Sequence, residues 1–330
     1  MRKAGLLYGS LEHHLDHLGP FCSLLGIPLV LTEEELLLQA QLHYPELQTV
    51  FCPCLEAPFE IIKNYDLLFY SISRLLYEDL FFIAEKTLQK KLRTIWLPHG
   101  NSDKGHLSKS MEALKYEDHL LIYGQKMAAF ANHPKTSEVG NFRYHYYLKH
   151  RVFYDSLVQQ FLRPAKKTIL YAPTWEDGET SSSFFLWTER LIEEIPSDCF
   201  LMIKLHPNLE SDARTLHLEL KYDNHSRVRF IKRFTPIYPL LEKTDIYLGD
   251  MSSIGYDFLT YNRPMFFFNS MNREPLHPSL YLHQCGYTIK PNENIFEAIE
   301  REGEQTHLSS VREKIYDYTF GVKLLDITLD

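Results

Sequence analysis

The chain has 330 residues, 45% hydrophobic and 24% charged, and a net charge of −8. That length suits two domains, and the composition is that of an ordinary globular protein. The negative balance argues against a general nucleic-acid binder, so any anion held by this chain must be met by cations gathered locally, with Lys204, His206 and Arg143 as candidates. Cys22, Cys52, Cys54, Cys199 and Cys285 are odd in number, which points to a reducing compartment rather than a disulfide framework. No run approaches the ~20 apolar residues of a membrane span. Met1 to Ser10 reads as a first strand rather than a signal peptide, so the expectation is a cytoplasmic protein.

Short apolar strands alternate with amphipathic helices along the whole chain. Ala4–Tyr8 reads as a strand and His13–Leu25 as its helix, stopped by Gly26. Pro28–Leu31 and Glu33–Leu42 repeat the pair, followed by strands Leu47–Phe51 and Leu67–Tyr70. The pattern predicts a helix over Glu78–Leu92 whose basic tail, Lys90 to Arg93, suits a helix C-terminus. Strands Thr94–Leu97 and His119–Tyr123 and a helix over Gln125–Asn132 come next, and Val139 opens the segment closing the first half. Phe153–Phe161 reads as a connecting helix and Arg163–Lys167 as a linker.

The second half repeats the alternation. Its strands are expected at Thr168–Tyr171, Phe200–Leu205, Val228–Ile231, Asp245–Leu248 and Met265–Phe268. Its helices are expected at Phe184–Glu194, Asp212–Tyr222, Ile237–Glu242, Ile254–Tyr261, Ile295–Glu302 and in the tail from Leu308. Such alternation predicts α/β architecture with mostly parallel sheets covered on both faces. The halves divide as 1–160, an N-terminal acceptor domain, and 161–330, a C-terminal nucleotide-donor domain with a terminal helix. Two Rossmann-like, doubly wound domains facing a cleft are the GT-B architecture.

Four strand ends carry chemistry. Asp245 to Gly249 is an apolar run that ends in Asp250-Met251-Ser252-Ser253, and a helix follows at once. That order sets two hydroxyls and several backbone N–H groups at a helix start, where a phosphate is attracted; simple capping by Ser252 or Ser253 explains the same residues. Phe200 to Leu205 ends in Lys204-Leu205-His206-Pro207, and the proline holds His206 at a strand C-terminus, where open α/β sheets bind ligands. Thr168 to Tyr171 runs into Ala172-Pro173-Thr174-Trp175, and Thr94 to Leu97 into Pro98-His99-Gly100. Asp257 follows in the helix, suited to a ribose hydroxyl or to pairing with Arg263, and Trp175 reads equally as a base-pocket wall or a core residue.

These motifs, with Val139-Gly140-Asn141-Phe142-Arg143, come in one order from about His99 to Phe268. The ordered set resembles the CDP-glycerol glycerophosphotransferases, the TagB/TagF-like enzymes of teichoic acid assembly. Where that family commonly reads Gly-x-Pro-Arg-x-Asp, this chain has Phe142 for the proline and His145 for the acid. The resemblance implies transfer of glycerol phosphate, or a related polyol phosphate, from a CDP-linked donor to a hydroxyl or lipid-linked acceptor. It implies His99 as catalytic base beside Gly100. It also implies His206, Ser252 and Ser253 on the donor phosphates. Lys204, two residues before His206 on the same strand face, is read with Pro173, Thr174, Asp250 and Asp257 as surrounding the donor, and Arg143 as facing the acceptor.

No cofactor is called for. Glu176 to Glu179 reads as an acidic surface loop rather than a metal site, and Cys52-Pro53-Cys54 lacks a second cysteine pair. The stretch Phe142–Tyr154 mixes bases with aromatics and reads equally as an interdomain helix or as a segment resting on the inner face of a membrane. A GT-B glycosyltransferase using a UDP- or CMP-sugar, and a non-catalytic nucleotide-binding protein, are the competing functions.

Overall fold

Buried β-branched and aromatic runs form two parallel sheets in the computed structural model, which describes residues 1–104, 112–177 and 181–321. The first sheet has seven strands: β1 Lys3–Leu7, β2 Leu29–Leu31, β3 Thr49–Phe51, β4 Leu67–Tyr70, β5 Arg93–Trp96, β6 His119–Ile122 and β7 Thr136–Glu138, in the order β3-β2-β1-β4-β5-β6-β7. The second has six: β8 Lys167–Ala172, β9 Cys199–Lys204, β10 Val228–Ile231, β11 Ile246–Gly249, β12 Met265–Phe268 and β13 Tyr287–Ile289, in the order β10-β9-β8-β11-β12-β13. Every pairing is parallel. Central strands such as β4 and β9 are buried at every residue, because helices cover both faces, so they read as unbroken apolar runs.

Two compact units contain these sheets. One holds the described parts of Met1–Gly100, His106–His150 and Tyr318–Asp330; the other holds the described parts of Asn101–Gly105 and Arg151–Asp317. The segment just after Gly100 therefore packs with the second unit. Leu6, Val30, Leu68, Tyr70 and Ile61 anchor the first core. Ile169, Leu201, Ile203, Leu248 and Phe266 anchor the second.

Strand order reverses between β1 and β4 in the first sheet and between β8 and β11 in the second. Ligands of doubly wound sheets bind beyond the strand C-termini at such a reversal. The first reversal receives Ser71 after β4 and the start of helix Glu12–Leu25 after β1. The second receives Pro173 and Thr174 after β8 and Asp250 to Ser253 after β11.

Most expected elements form within a residue or two of their expected ends. The Glu78–Leu92 helix does not: a 3₁₀ turn, Arg74–Tyr77, leads into Glu78–Phe82, a π turn at Ile83–Thr87 ends it, and Gln89 takes a positive φ of 50°. The basic tail is thus no helix terminus. Lys90 Nζ instead donates to the Ile62 and Tyr65 carbonyls at 2.5 and 2.6 Å and pairs with Asp66 at 3.0 Å, closing the preceding helix, Ala57–Asn64. That helix, β7 and the edge strand β13 are additions to the expected set. Among the described residues no helix is long and apolar enough to cross a membrane.

Candidate active site

Four histidines gather in the first unit. His13, His14 and His17 start the Glu12–Leu25 helix, and His99 ends the extended run after β5. His99 Nδ1 lies 2.8 Å from the Ser71 carbonyl oxygen, which only accepts, so the proton of the neutral ring sits on Nδ1 and Nε2 is the acceptor nitrogen. His14 stacks on His99 with ring centroids 4.2 Å apart and planes 26° apart, and its Nδ1 is 2.6 Å from the Ser71 hydroxyl. His13 meets both rings edge-on. One serine therefore holds two stacked imidazoles, by its carbonyl and by its hydroxyl. His17 Nδ1 bonds the Tyr123 hydroxyl at 2.6 Å, and that hydroxyl donates to the Pro98 carbonyl at 3.3 Å, steadying the backbone just before His99. Gly100 follows with φ 130°, a conformation that L side chains rarely adopt, so the turn needs glycine.

Crowding by protein lowers the His99 pKa, with the Ser71 bond opposing, so the ring is held neutral and ready to accept a proton. Its ring nonetheless keeps an exposed surface. The surrounding mass governs its charge, and the exposed edge governs access to it. Desolvation likewise lowers His14 and His17, both buried, and brings His13 down to about 3, with the neighbouring imidazoles adding to the effect.

In the second unit, His206 is extended (φ −70°, ψ 140°) and caps the short Pro207–Glu210 helix. Its Nδ1 accepts the Asn208 backbone N–H at 3.2 Å, so the neutral ring carries its proton on Nε2. Trp175 is 37% exposed, with its ring 6.0 Å from that of His206, so it is a surface wall and not a core residue. Ser252 and Ser253 lead into the Ile254–Phe258 helix, and neither side chain caps it. Tyr247 lies beneath this turn: a Cβ on Gly249 would fall 2.3 Å from the Tyr247 hydroxyl, so the floor of the turn depends on glycine.

Several predicted site residues are placed otherwise than expected. Asp250 is 1% exposed and accepts from Thr174 N, Ser183 N and the Ser183 hydroxyl at 2.8, 2.8 and 2.7 Å, so it ties the β8 and β11 turns to the Phe184–Glu194 helix instead of facing a donor. Burial raises its pKa to about 6 despite those bonds. Arg143 is 5% exposed, and its guanidinium is bonded to the Asp16 carboxylate and carbonyl, a core ion pair rather than a phosphate clamp. Lys204 is buried, donates to the Leu205 carbonyl at 2.9 Å and lies 4.0 Å from Glu210. Asp257 accepts from the Tyr238 hydroxyl at 3.1 Å, while Arg263 donates to the Glu242 and Thr244 carbonyls and not to Asp257. Pro173 and Thr174 are buried.

Glu176 pairs with Arg214 and Asp177 with Lys104; Gly178 and Glu179 of the acidic loop lie outside the described residues. Among the described residues no group of three or more His, Cys, Asp or Glu is placed to hold a metal ion, and the five cysteines are unpaired thiols. Phe142, Tyr146, Tyr147 and Tyr154 are buried, so most of the aromatic surface of the Phe142–Tyr154 stretch is core; Val152 and Phe153 are exposed.

Sequence reasoning missed His13, His14 and His17, whose signal was three histidines within five residues after the first strand. It also missed Asp103 and Lys104. Asp103 accepts from the Tyr256 hydroxyl at 2.5 Å and the Leu282 N–H at 3.1 Å, and Lys104 donates to the Thr174 hydroxyl at 2.9 Å and pairs with Asp177 at 2.5 Å. Both act within the second unit, beside the turns expected to hold a donor.

The chain is similar to known proteins in sequence and in fold. Residues 131–273 match the family model of the CDP-glycerol:poly(glycerophosphate) glycerophosphotransferases. The teichoic acid glycerol-phosphate primase of Bacillus subtilis (strain 168) is 31% identical over 104 residues, covering 31% of this chain and 26% of that protein. The teichoic acid poly(ribitol-phosphate) polymerase of Bacillus spizizenii is 30% identical over 108 residues, covering 32% of this chain and 17% of that protein. The matched segment is thus about a quarter or less of either relative's length. In fold, the chain is similar to the wall teichoic acid polymerase TagF, with a TM-score of 0.68 and 15% identity over 96% of this chain and 84% of that one. It is also similar to Anabaena HepE in complex with UDP-glucose, with a TM-score of 0.54 and 13% identity over 97% and 95%. The fold is GT-B, and residues 131–273, less than half of the chain, are similar to the CDP-glycerol:poly(glycerophosphate) glycerophosphotransferases.

Proposed function

We propose that this chain transfers glycerol phosphate, or a related polyol phosphate, from a CDP-linked donor to a hydroxyl acceptor in the synthesis of a cell-surface polymer. The observation that carries the reading is the pair of histidines with opposite proton positions: His99 with its acceptor nitrogen at Nε2, and His206 with its proton there. Phosphoryl transfer needs both, a base for the nucleophile and a donor for charge that spreads over phosphate oxygens.

His99 Nε2 takes the proton of the acceptor hydroxyl. The oxygen attacks the phosphorus that bears the glycerol, the anhydride bond to the cytidylate breaks, and CMP leaves with the electron pair. His206 Nε2–H and the N–H and hydroxyl groups of Ser252 and Ser253 meet the negative charge. Trp175 offers a face to the nucleotide base. The division of the chain into an acceptor half, 1–160, and a donor half, 161–330, belongs to this reading. So does a cytoplasmic site at the inner face of the membrane, where a lipid-linked acceptor is reached through peripheral contact.

Purified protein given CDP-glycerol and a glycerol phosphate acceptor, soluble or lipid-linked, should release CMP only when acceptor is present. Turnover with UDP- or CMP-sugars in place of CDP-glycerol would move the chain to glycosyl transfer. Nucleotide binding without turnover across the donor and acceptor panel would make it a binding protein.

A further inference from the structure

The histidine pair His14–His99 goes beyond the roles assigned so far. His14 is 2% exposed, sits third in its helix, and is neither a core hydrophobe nor a surface residue. A buried imidazole is costly unless it is bonded and has a use. Its ring covers one face of His99, and its Nδ1 is tied to the Ser71 hydroxyl, while the Ser71 carbonyl accepts the Nδ1–H of His99. Ser71 follows β4 and His14 follows β1, the two strands between which the sheet order reverses, so the fold itself brings these three residues together.

We propose that His14 is the positioning residue for His99: stacked on it and tied to the same serine, it fixes the ring plane and proton position from which His99 Nε2 works. This rests on the reading of His99 as the base. Among the described residues, the titratable and charged groups around His99 are His13, His14 and His17 on the one helix, with the Arg143–Asp16 pair beyond His17. Removing the His14 ring admits water to the covered face of His99 and relieves the desolvation that holds its pKa down. That change raises the His99 pKa, so the acid limb of the rate profile moves to higher pH.

The test compares His14→Ala, His14→Phe and Ser71→Ala with His99→Ala, reading kcat, donor KM and the pH profile of CMP release from CDP-glycerol, together with ¹⁵N imidazole shifts. His14→Ala should lower kcat about tenfold, short of the ~10²-fold or more lost with the base itself, leave donor KM unchanged and shift the acid limb upward. His14→Phe keeps the stacked cover and should hold the acid limb near its original place. Ser71→Ala keeps the carbonyl but frees His14, and should fall between the two. The ¹⁵N shifts should report His99 protonated on Nδ1 in the parent and a mixture of tautomers in His14→Ala, a readout that needs no turnover and no identified donor.

A folded His14→Ala protein with parental kcat, acid limb and His99 shifts overturns the proposal. If His14→Ala does not fold, a His14→Phe protein whose acid limb rises as far as that of Ser71→Ala overturns it as well. If His99→Ala keeps full activity, the base reading has failed, and the His99 shifts in His14→Ala still decide whether His14 fixes the ring. If His99→Ala is inactive and His14→Ala is unchanged, only the present proposal has failed.

Discussion

The two units present a histidine at the end of a strand run, and they prepare it in opposite ways. In the first, a backbone carbonyl accepts the Nδ1–H of His99 and other imidazoles crowd the ring. In the second, a backbone N–H donates to Nδ1 of His206, the turn is opened by a proline, and an exposed tryptophan ring lies 6.0 Å away. One side chain becomes an acceptor at Nε2 and the other a donor there, through a single backbone contact each. Residue type alone does not assign an acid or base role; the partner of the other nitrogen does.

The largest expected effect is on turnover. His99→Ala should lower kcat by about 10²–10⁴-fold, the range for losing a general base, with little change in donor KM. His206→Ala should cost about 10²–10³-fold, as for loss of one preorganised donor to a developing charge. Equal donor KM and a far smaller loss at His99 would break the comparison.

Next comes stability. Arg143→Ala leaves Asp16 buried with the Tyr44 hydroxyl but without its guanidinium, and should destabilise by about 3–5 kcal/mol in urea unfolding, with donor affinity unchanged in whatever protein remains folded. A clear loss of acceptor or donor binding in folded Arg143→Ala protein would return this residue to the site. Asp250→Ala strands the Thr174 and Ser183 N–H groups and should cost about 1–3 kcal/mol for each donor left unsatisfied.

A smaller effect separates the units by pH. His14 and His17 have pKa values lowered by folding, so between the folded value and the unfolded value of about 6.5 the unfolded chain binds more protons. The stability from keeping them neutral is therefore complete above about pH 6.5 and declines as pH falls below it. Asp250 has the opposite sign: its folded pKa of about 6 lies above the unfolded carboxylate value, so it favours folding more below pH 6 than above. Hydrogen exchange at pH 7.5 and 5.5 should show the first unit losing protection on acidification and the second losing less. Uniform loss in both would contradict this. The smallest expected change is at Trp175→Ala, about 1 kcal/mol in donor affinity, measured by calorimetric titration with CDP-glycerol.

Strand ends were legible because buried parallel strands are continuous apolar runs and their polar successors stand out, as at Leu205-His206-Pro207 and Gly249-Asp250. The roles of Arg143 and Asp250 were not. Arg143 is paired with Asp16, 127 residues away, and Asp250 accepts from residues 67 and 76 positions upstream. Three histidines within five residues do not say what they touch, and the β1–β4 adjacency sets His14 on His99. The Glu78–Leu92 helix failed because apolar spacing carries no sign of the π turn at Ile83–Thr87 or of the pull of Lys90 toward the carbonyls of the neighbouring helix.

Opposite proton positions give opposite responses to an amide. A glutamine N–H can stand in for a donating imidazole but cannot take up a proton. The most direct measurement is therefore kcat for His99→Gln and His206→Gln beside their alanine counterparts, with CDP-glycerol and acceptor. The account predicts that His206→Gln recovers a large share of what His206→Ala loses, while His99→Gln is as slow as His99→Ala. Recovery at His99 and none at His206 would contradict it.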